Sequence, residues 1–215
     1  MTTLELQAPE AATAGNHSKL YSLLSQALRY PTDEFHQWAS SGQLAQEISE
    51  AAGGLGYAVS VPGGLEADSL EETQQAHVEL FELGGDAGPP AFIYEGEYGG
   101  GRLGVMEDVL RFYDHFGISP SLDEETRDRP DHIANELEFM HVLSFQEASA
   151  LEGGSDSSAY RQAEHDFLRF HLVDFTKAIA DRTEPKGTPL YSGIAALVRD
   201  LCQQHLQFLS SGGAG

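Results

Sequence analysis

The chain of 215 residues has one cysteine, three lysines and no long hydrophobic run, and each shortage removes a class of function. A single Cys202 cannot close an internal disulfide and cannot build a Cys-based metal site. It reads as a small apolar residue within a helix. With only Lys19, Lys177 and Lys186, and no P-loop, the chain is poorly equipped for phosphoryl transfer. Gly-x-Ser-x-Gly and a Cys/His nucleophile pair are also missing, so no catalytic residue and no enzyme activity is expected. No stretch approaches the roughly 18 apolar residues of a membrane span. The first residues carry neither a basic nor an apolar signal region, so the chain is expected to stay in the cytoplasm.

Positive charge is the scarcest property. Twelve Lys and Arg face 34 Asp and Glu, a net charge of −22. A phosphate backbone needs a basic face, so nucleic acid is excluded as a partner, and anionic membrane surfaces are disfavoured for the same reason. Basic peptides and basic protein segments remain as attractive targets, through steering and charge complementarity. From charge alone, simple solubility explains the acidity equally well.

What is present is helix. Apolar residues make up 40% of the chain, enough for a globular core. Leu20, Leu23, Leu24, Ala27 and Leu28 recur at helical spacing and predict a helix over 17–29, stopped by Pro31. Thr32 caps a short helix through Trp38. A third helix contains Leu44 and Ile48 and ends near Gly53-Gly54. Ser69-Leu70-Glu71-Glu72 fits a capping box and opens a helix through Phe81. A long loop from Gly84 to about Arg102 holds Pro89-Pro90, Phe92, Tyr94 and Tyr98; loops of that length are usually functional. Further helices are expected over 103–116, over 130–151 as the most apolar of all, over 158–182, and from Thr188-Pro189 onward. The fold class is therefore all-α: one helical bundle of about eight helices over 16–209, with a flexible segment at 1–15 and a flexible tail at 210–215.

Three motifs carry possible chemistry. Gly99-Gly100-Gly101-Arg102-Leu103-Gly104 matches G-x-G-x-x-G, with Asp123 about 20 positions on, but no strand precedes it and no βαβ unit surrounds it. A loop entering a helix is the better account. Glu138-x-x-His141 is a di-iron half-motif without its second copy. His132 and Glu136 share a helix face but have no third ligand, so a hydrogen-bonded pair outweighs a metal site. No metal and no cofactor is expected.

The stretch Arg129-Pro130-Asp131-His132-Ile133-Ala134-Asn135-Glu136-Leu137-Glu138-Phe139-Met140 sets polar groups at the start of a core helix. Pro130 suits the first turn and Asp131 the positive end of the macrodipole. On spacing alone, a well-capped helix outweighs a polar pocket facing the Pro90–Tyr98 loop.

Pro-Asp-His-Ile-x-x-Glu-Leu-x-Phe-Met resembles the hallmark of the TorD/DmsD/NarJ-like redox-enzyme maturation proteins. Tyr21-x-x-Leu-x-x-x-Leu with Pro31, Leu80-Phe81, Pro89-Pro90, Tyr94-Glu95-Gly96, Tyr113, Gly117, Phe170-His171-Leu172 and Phe175 fall in matching order, although a Trp of the later helix is missing. The resemblance spans roughly 17–209 and is nearest to the branch serving type II dimethyl-sulfoxide-reductase-like enzymes. It implies a dedicated assembly chaperone that binds the catalytic molybdenum subunit of an oxidoreductase, or its twin-arginine leader peptide, supports insertion of the molybdopterin cofactor and delays export. The client-binding residues it points to are Pro130, Asp131, His132 and Glu136 with Pro90, Phe92, Tyr94 and Glu95. Asp131 and Glu136 are the candidate partners for arginine. A monomer or a dimer fits. The alternatives are a guanine-nucleotide-binding or hydrolysing helical protein, and a helical interaction module for an unrelated partner.

Overall fold

A computed structural model describes residues 6–84, 88–99, 101–118 and 128–212. Its α-helices are α1 (Pro9–Ala27), α2 (Asp33–Ser40), α3 (Gln43–Gly53), α4 (Leu70–Phe81), α5 (Arg102–His115), α6 (Ile133–Glu152), α7 (Ser158–Phe167), α8 (Val173–Thr183) and α9 (Pro189–Ser210). A π turn, Leu168–Leu172, joins α7 to α8 without a break, so the described residues form eight continuous rods and no sheet. The all-α expectation holds.

Helices α1 and α6 form the axis. They run antiparallel over their full lengths, as their polar contacts record. Ser25 donates its hydroxyl to the Ala134 carbonyl at 2.8 Å, and Ser18 lies 2.8 Å from His141 Nδ1. At the far end the Glu152 carboxylate accepts the Gln7 and Ala8 N–H groups at 2.9 and 3.1 Å. Small residues at helical spacing (Ala11, Ala14, Ser18 and Ser25 on α1; Ala134, Ser144 and Ala148 on α6) are buried and let the backbones approach. Around this pair Leu20, Leu24, Leu137 and Leu143 are fully buried. Each such side chain contributes about 1.5–3 kcal/mol by leaving water.

The helix starts follow the chemistry expected of them. The Thr32 and Thr188 hydroxyls accept the N–H groups of Phe35 and Tyr191, Pro189 occupies the first turn of α9, and Ser69 with Glu72 forms the full capping box. Two expectations need correction. Residues 9–15 are not loose: Pro9 opens α1 in its first turn, Glu152 binds the free N–H groups ahead of it, and Ala11 and Ala14 are packed. The C-terminal tail is helical through Ser210; residues 1–5 and 213–215 lie outside the described residues.

A buried polar cluster joins α1, α7 and α9. The His17 and His205 rings stack at 3.8 Å, Tyr21 Oη meets His205 Nδ1 at 2.9 Å, and Glu164 lies 3.4 Å from His205 Nε2. Burial pushes Glu164 up to about 8 and His205 down to about 3, so an uncharged carboxyl faces an uncharged imidazole at neutral pH. Cys202 is buried nearby, its thiol pushed up to about 12 by burial.

Both shifts link stability to pH. Glu164 binds its proton more tightly in the fold than in the unfolded chain. Its contribution is complete below the ordinary value of 4.5 and is lost as pH rises toward 8. His205 does the opposite: its contribution is complete above the ordinary 6.5 and is lost as pH falls toward 3. Thermal melts should therefore show a maximum at mildly acidic pH, with Glu164→Gln flattening the alkaline limb between pH 6 and 8. An unchanged slope in the variant would refute the assignment.

Candidate functional site

Ile93 and Tyr94 lie extended against the entry to α6, and Glu95–Glu97 follow as a single 3-10 turn. Tyr94 and His132 form an antiparallel bridge. Its neighbours complete the pairing: Glu95 N–H donates to the Asp131 carbonyl and Ile133 N–H to the Ile93 carbonyl, each at 2.9 Å. The Tyr113 hydroxyl of α5 donates to the Pro130 carbonyl at 3.0 Å. These bonds use the backbone that a longer α6 would need. The helix consequently begins at Ile133 rather than at Pro130, and Pro130 and Asp131 sit in the turn before it.

Arg129 locks the arrangement. Its Nε and Nη2 bind Asp131 Oδ1 and Oδ2 at 2.9 and 2.6 Å, and its Nη1 binds Glu97 at 2.8 Å. The guanidinium lies 4.4 Å from the centre of the Tyr94 ring. Asp131, fully buried, also accepts the Gly96 N–H at 3.1 Å. A Cβ at Gly96 would stand 2.9 Å from Arg102 Cα and 3.0 Å from Asp131 Oδ2, so this approach requires glycine. Partial burial opposes the Arg129 charge, but the hydrogen bonds it donates to Asp131 and Glu97 outweigh it and raise its pKa. The same bond from Arg129 lowers that of Glu97.

Behind this clasp lie three more ionisable side chains. His132 is the N-cap of α6, its Nδ1 accepting the Ala134 N–H at 3.1 Å and its ring meeting Tyr94 edge-on at 5.1 Å. Burial, then the nearby Arg29, pushes its pKa down to about 3, so it is neutral. The expected pair with Glu136 is not formed, because the cap uses the ring nitrogen that faces the helix. Glu136 is fully buried with no partner of ordinary hydrogen-bond geometry among the described residues. Burial first, and the charges of Glu95 and Asp131 second, raise its pKa far enough to keep it protonated. Glu95 turns instead to His171, 2.9 Å from its Nδ1. His171 lies in the π turn, whose widened backbone swings it toward the 93–98 segment.

The eight residues singled out from the sequence thus fall into two groups. Asp131, His132 and Glu136 are buried, and Glu95 is nearly so. They hold the segment and present almost no side-chain surface. Pro90, Phe92, Tyr94 and Pro130 are half-buried and keep a face outward. Arg129, Glu97, Gly96, Tyr113 and His171 complete the site and were not among the expected residues. In a chain with so few cations, an arginine adjoining Pro130-Asp131 was the available signal.

The other motifs lead elsewhere. Gly101, at φ 82°, precedes α5, and no strand comes before it among the described residues; Asp123 lies outside them. Glu138 binds Arg29 at 2.7 Å while His141 turns to Ser18, so the two side chains diverge.

The matching order of motifs is now accompanied by a matching profile: the family described as nitrate reductase delta subunit covers residues 41–181. The chain belongs to this family. Similar relatives include a chlorate reductase assembly chaperone protein from Ideonella dechloratans, 33% identical over 63% of this chain and 69% of the relative. A selenate reductase assembly chaperone protein from Thauera selenatis is 31% identical over 75% and 83%. The fold is also similar to the crystal structure of an Archaeoglobus fulgidus protein assigned to redox enzyme maturation. That match has a TM-score of 0.53 and 20% identity, and covers 94% of this chain and 98% of the other.

The two buried carboxyls of the site predict opposite sensitivities. Asp131→Asn removes the charge that holds Arg129 and should cost about 2–4 kcal/mol in urea unfolding at pH 7. Glu136→Gln replaces an already neutral group and should cost under about 1 kcal/mol. Equal costs would refute the difference in pairing.

Proposed function

We propose that this chain is a system-specific cytoplasmic assembly chaperone. It binds the catalytic molybdenum subunit of a multi-subunit oxidoreductase, and the leader peptide of that subunit, while the cofactor is inserted, and it delays export until folding is complete. The observation that carries this reading is the Arg129 clasp. All the charged groups that converge there are engaged in fixing 93–98, and the outward surface they fix is made of Phe92, Tyr94 and the prolines. Rigid, half-exposed aromatic rings suit holding a partner, because little side-chain entropy is lost on contact. Membership of the delta subunit family, and relatives named as assembly chaperones of chlorate and selenate reductases, support the same reading. No helix among the described residues is long and apolar enough to cross a membrane.

On this view Asp131 and His132 are positioning residues for the client surface. Pairing of Asp131 or Glu136 with a client arginine would require the clasp to open, since both carboxyls are fully buried.

The test is co-purification of the molybdenum subunit from the same organism with tagged chaperone. Tyr94→Ala and Phe92→Ala should each reduce the retained subunit about fivefold or more, with the circular dichroism spectrum unchanged. Wild-type chain that retains no such subunit, or variants that retain it fully, would overturn the proposal.

A further inference from the structure

Away from the clasp, a groove of about 360 Å3 opens between the end of α1 and α2, lined chiefly by Arg29, Tyr30, Glu34, Phe35 and Trp38. Phe35 and Trp38 meet edge-on at 6.3 Å and form its floor. Tyr30 forms one wall, half exposed, with its ring edge-on to His77 of α4 at 5.6 Å. Exposed aromatic surface beside an open groove is the kind of apolar patch that marks a contact site.

The charge around the groove is one-sided. From Tyr30 to Gly84 the chain contains no lysine or arginine and ten Asp and Glu. This stretch builds α2, α3 and α4. Helix α4 is tied to the groove by the Gln74 amide, which donates to the Pro31 carbonyl at 2.9 Å, and it exposes Glu71, Glu72, Glu79 and Glu82. Glu34 stands exposed on the groove itself, beside Asp33. Arg29, the cation on the wall, is held by Glu138 at 2.7 Å and Asn135 at 3.1 Å. Of the two histidines nearby, His77 is buried and pushed down to about 4, and His36 is engaged with the Asp68 carbonyl at 2.6 Å.

We propose that this groove is a second docking seat, for a short amphipathic segment that carries lysine or arginine beside an apolar side chain. The apolar side chain would lie against Tyr30, Phe35 and Trp38. The cations would face Glu34 and the outer carboxylates of α4. Charge complementarity selects this occupant: an acidic segment would be repelled by Glu34 and the exposed carboxylates of α4, and a neutral one would leave them unanswered. The inference rests on the assembly role only for which protein supplies the segment.

Trp38 is the single tryptophan of the chain, so its emission reports the groove directly. The probe is a short synthetic peptide with paired arginines followed by an apolar stretch, with an arginine-to-glutamine peptide as control. The arginine peptide should shift Trp38 emission saturably, with an affinity that falls as salt rises, and the control should bind far more weakly. Tyr30→Ala and Glu34→Lys should each weaken binding about tenfold. Both side chains are exposed, so folding should survive, and Glu34→Gln provides a gentler second variant. Peptide binding that leaves Trp38 emission and the variants' affinities unchanged would overturn the seat, as would no binding at all. If wild-type chain retains the molybdenum subunit while Trp38 ignores the peptide, the groove fails and the assembly role stands. A saturable Trp38 response in a chain that retains no such subunit fails the assembly role and leaves the groove.

Discussion

Helices α1 and α6 touch along their whole lengths, and the position of every other functional part follows from where that contact puts the first turn of α6. Small residues on both faces draw the two backbones together, and Ser25, Ser18 and Glu152 fix the register with polar bonds. The start of α6 is thereby anchored on its core side at Ala134, leaving its other side free to pair with 93–95. A slip of one residue between these helices would rotate the buried face away and move His132 out of reach of Tyr94.

The fold tolerates an unusual amount of buried ionisable chemistry by keeping it neutral or pairing it. Asp131 is paired, with donors from Arg129 and the Gly96 N–H on its carboxylate oxygens. Glu136 and Glu164 have no such donors within good geometry and are protonated instead. Burial, with nearby arginines adding to it, keeps His132 and His205 uncharged. The outcome is a site whose electrostatic work is internal. What it offers outward is shape and aromatic surface, while net negative charge is carried by the α2–α4 side of the sequence. Those two properties are complementary in a protein that holds an unfinished partner: one gives contact, the other steers basic segments toward it.

The same division explains what could be read from the residues. Helix existence was legible, because periodic Leu and Phe positions and the caps at Thr32, Ser69 and Thr188 act locally. Helix limits were less so. The start of α1 at Pro9 depends on Glu152, far away in sequence. The start of α6 at Ile133 depends on a bridge to Tyr94, which local rules would have replaced with another helical turn at Pro130. The motif Pro130-Asp131-His132 drew attention to this segment, but its Asp131 and His132 are buried and only Pro130 keeps a face outward.

By itself the sequence determined an all-α chain with one acidic, cation-free stretch, a single tryptophan, and the ordered motifs of the delta subunit family. These follow from composition, from periodicity, and from caps that need only three or four neighbouring residues. The tertiary structure alone decided which side chains of the site are spent on internal bonds and which remain exposed. Burial and partnership are set by residues far apart in the chain, such as Arg129 with Glu97 and Glu95 with His171, and no local pattern encodes their meeting.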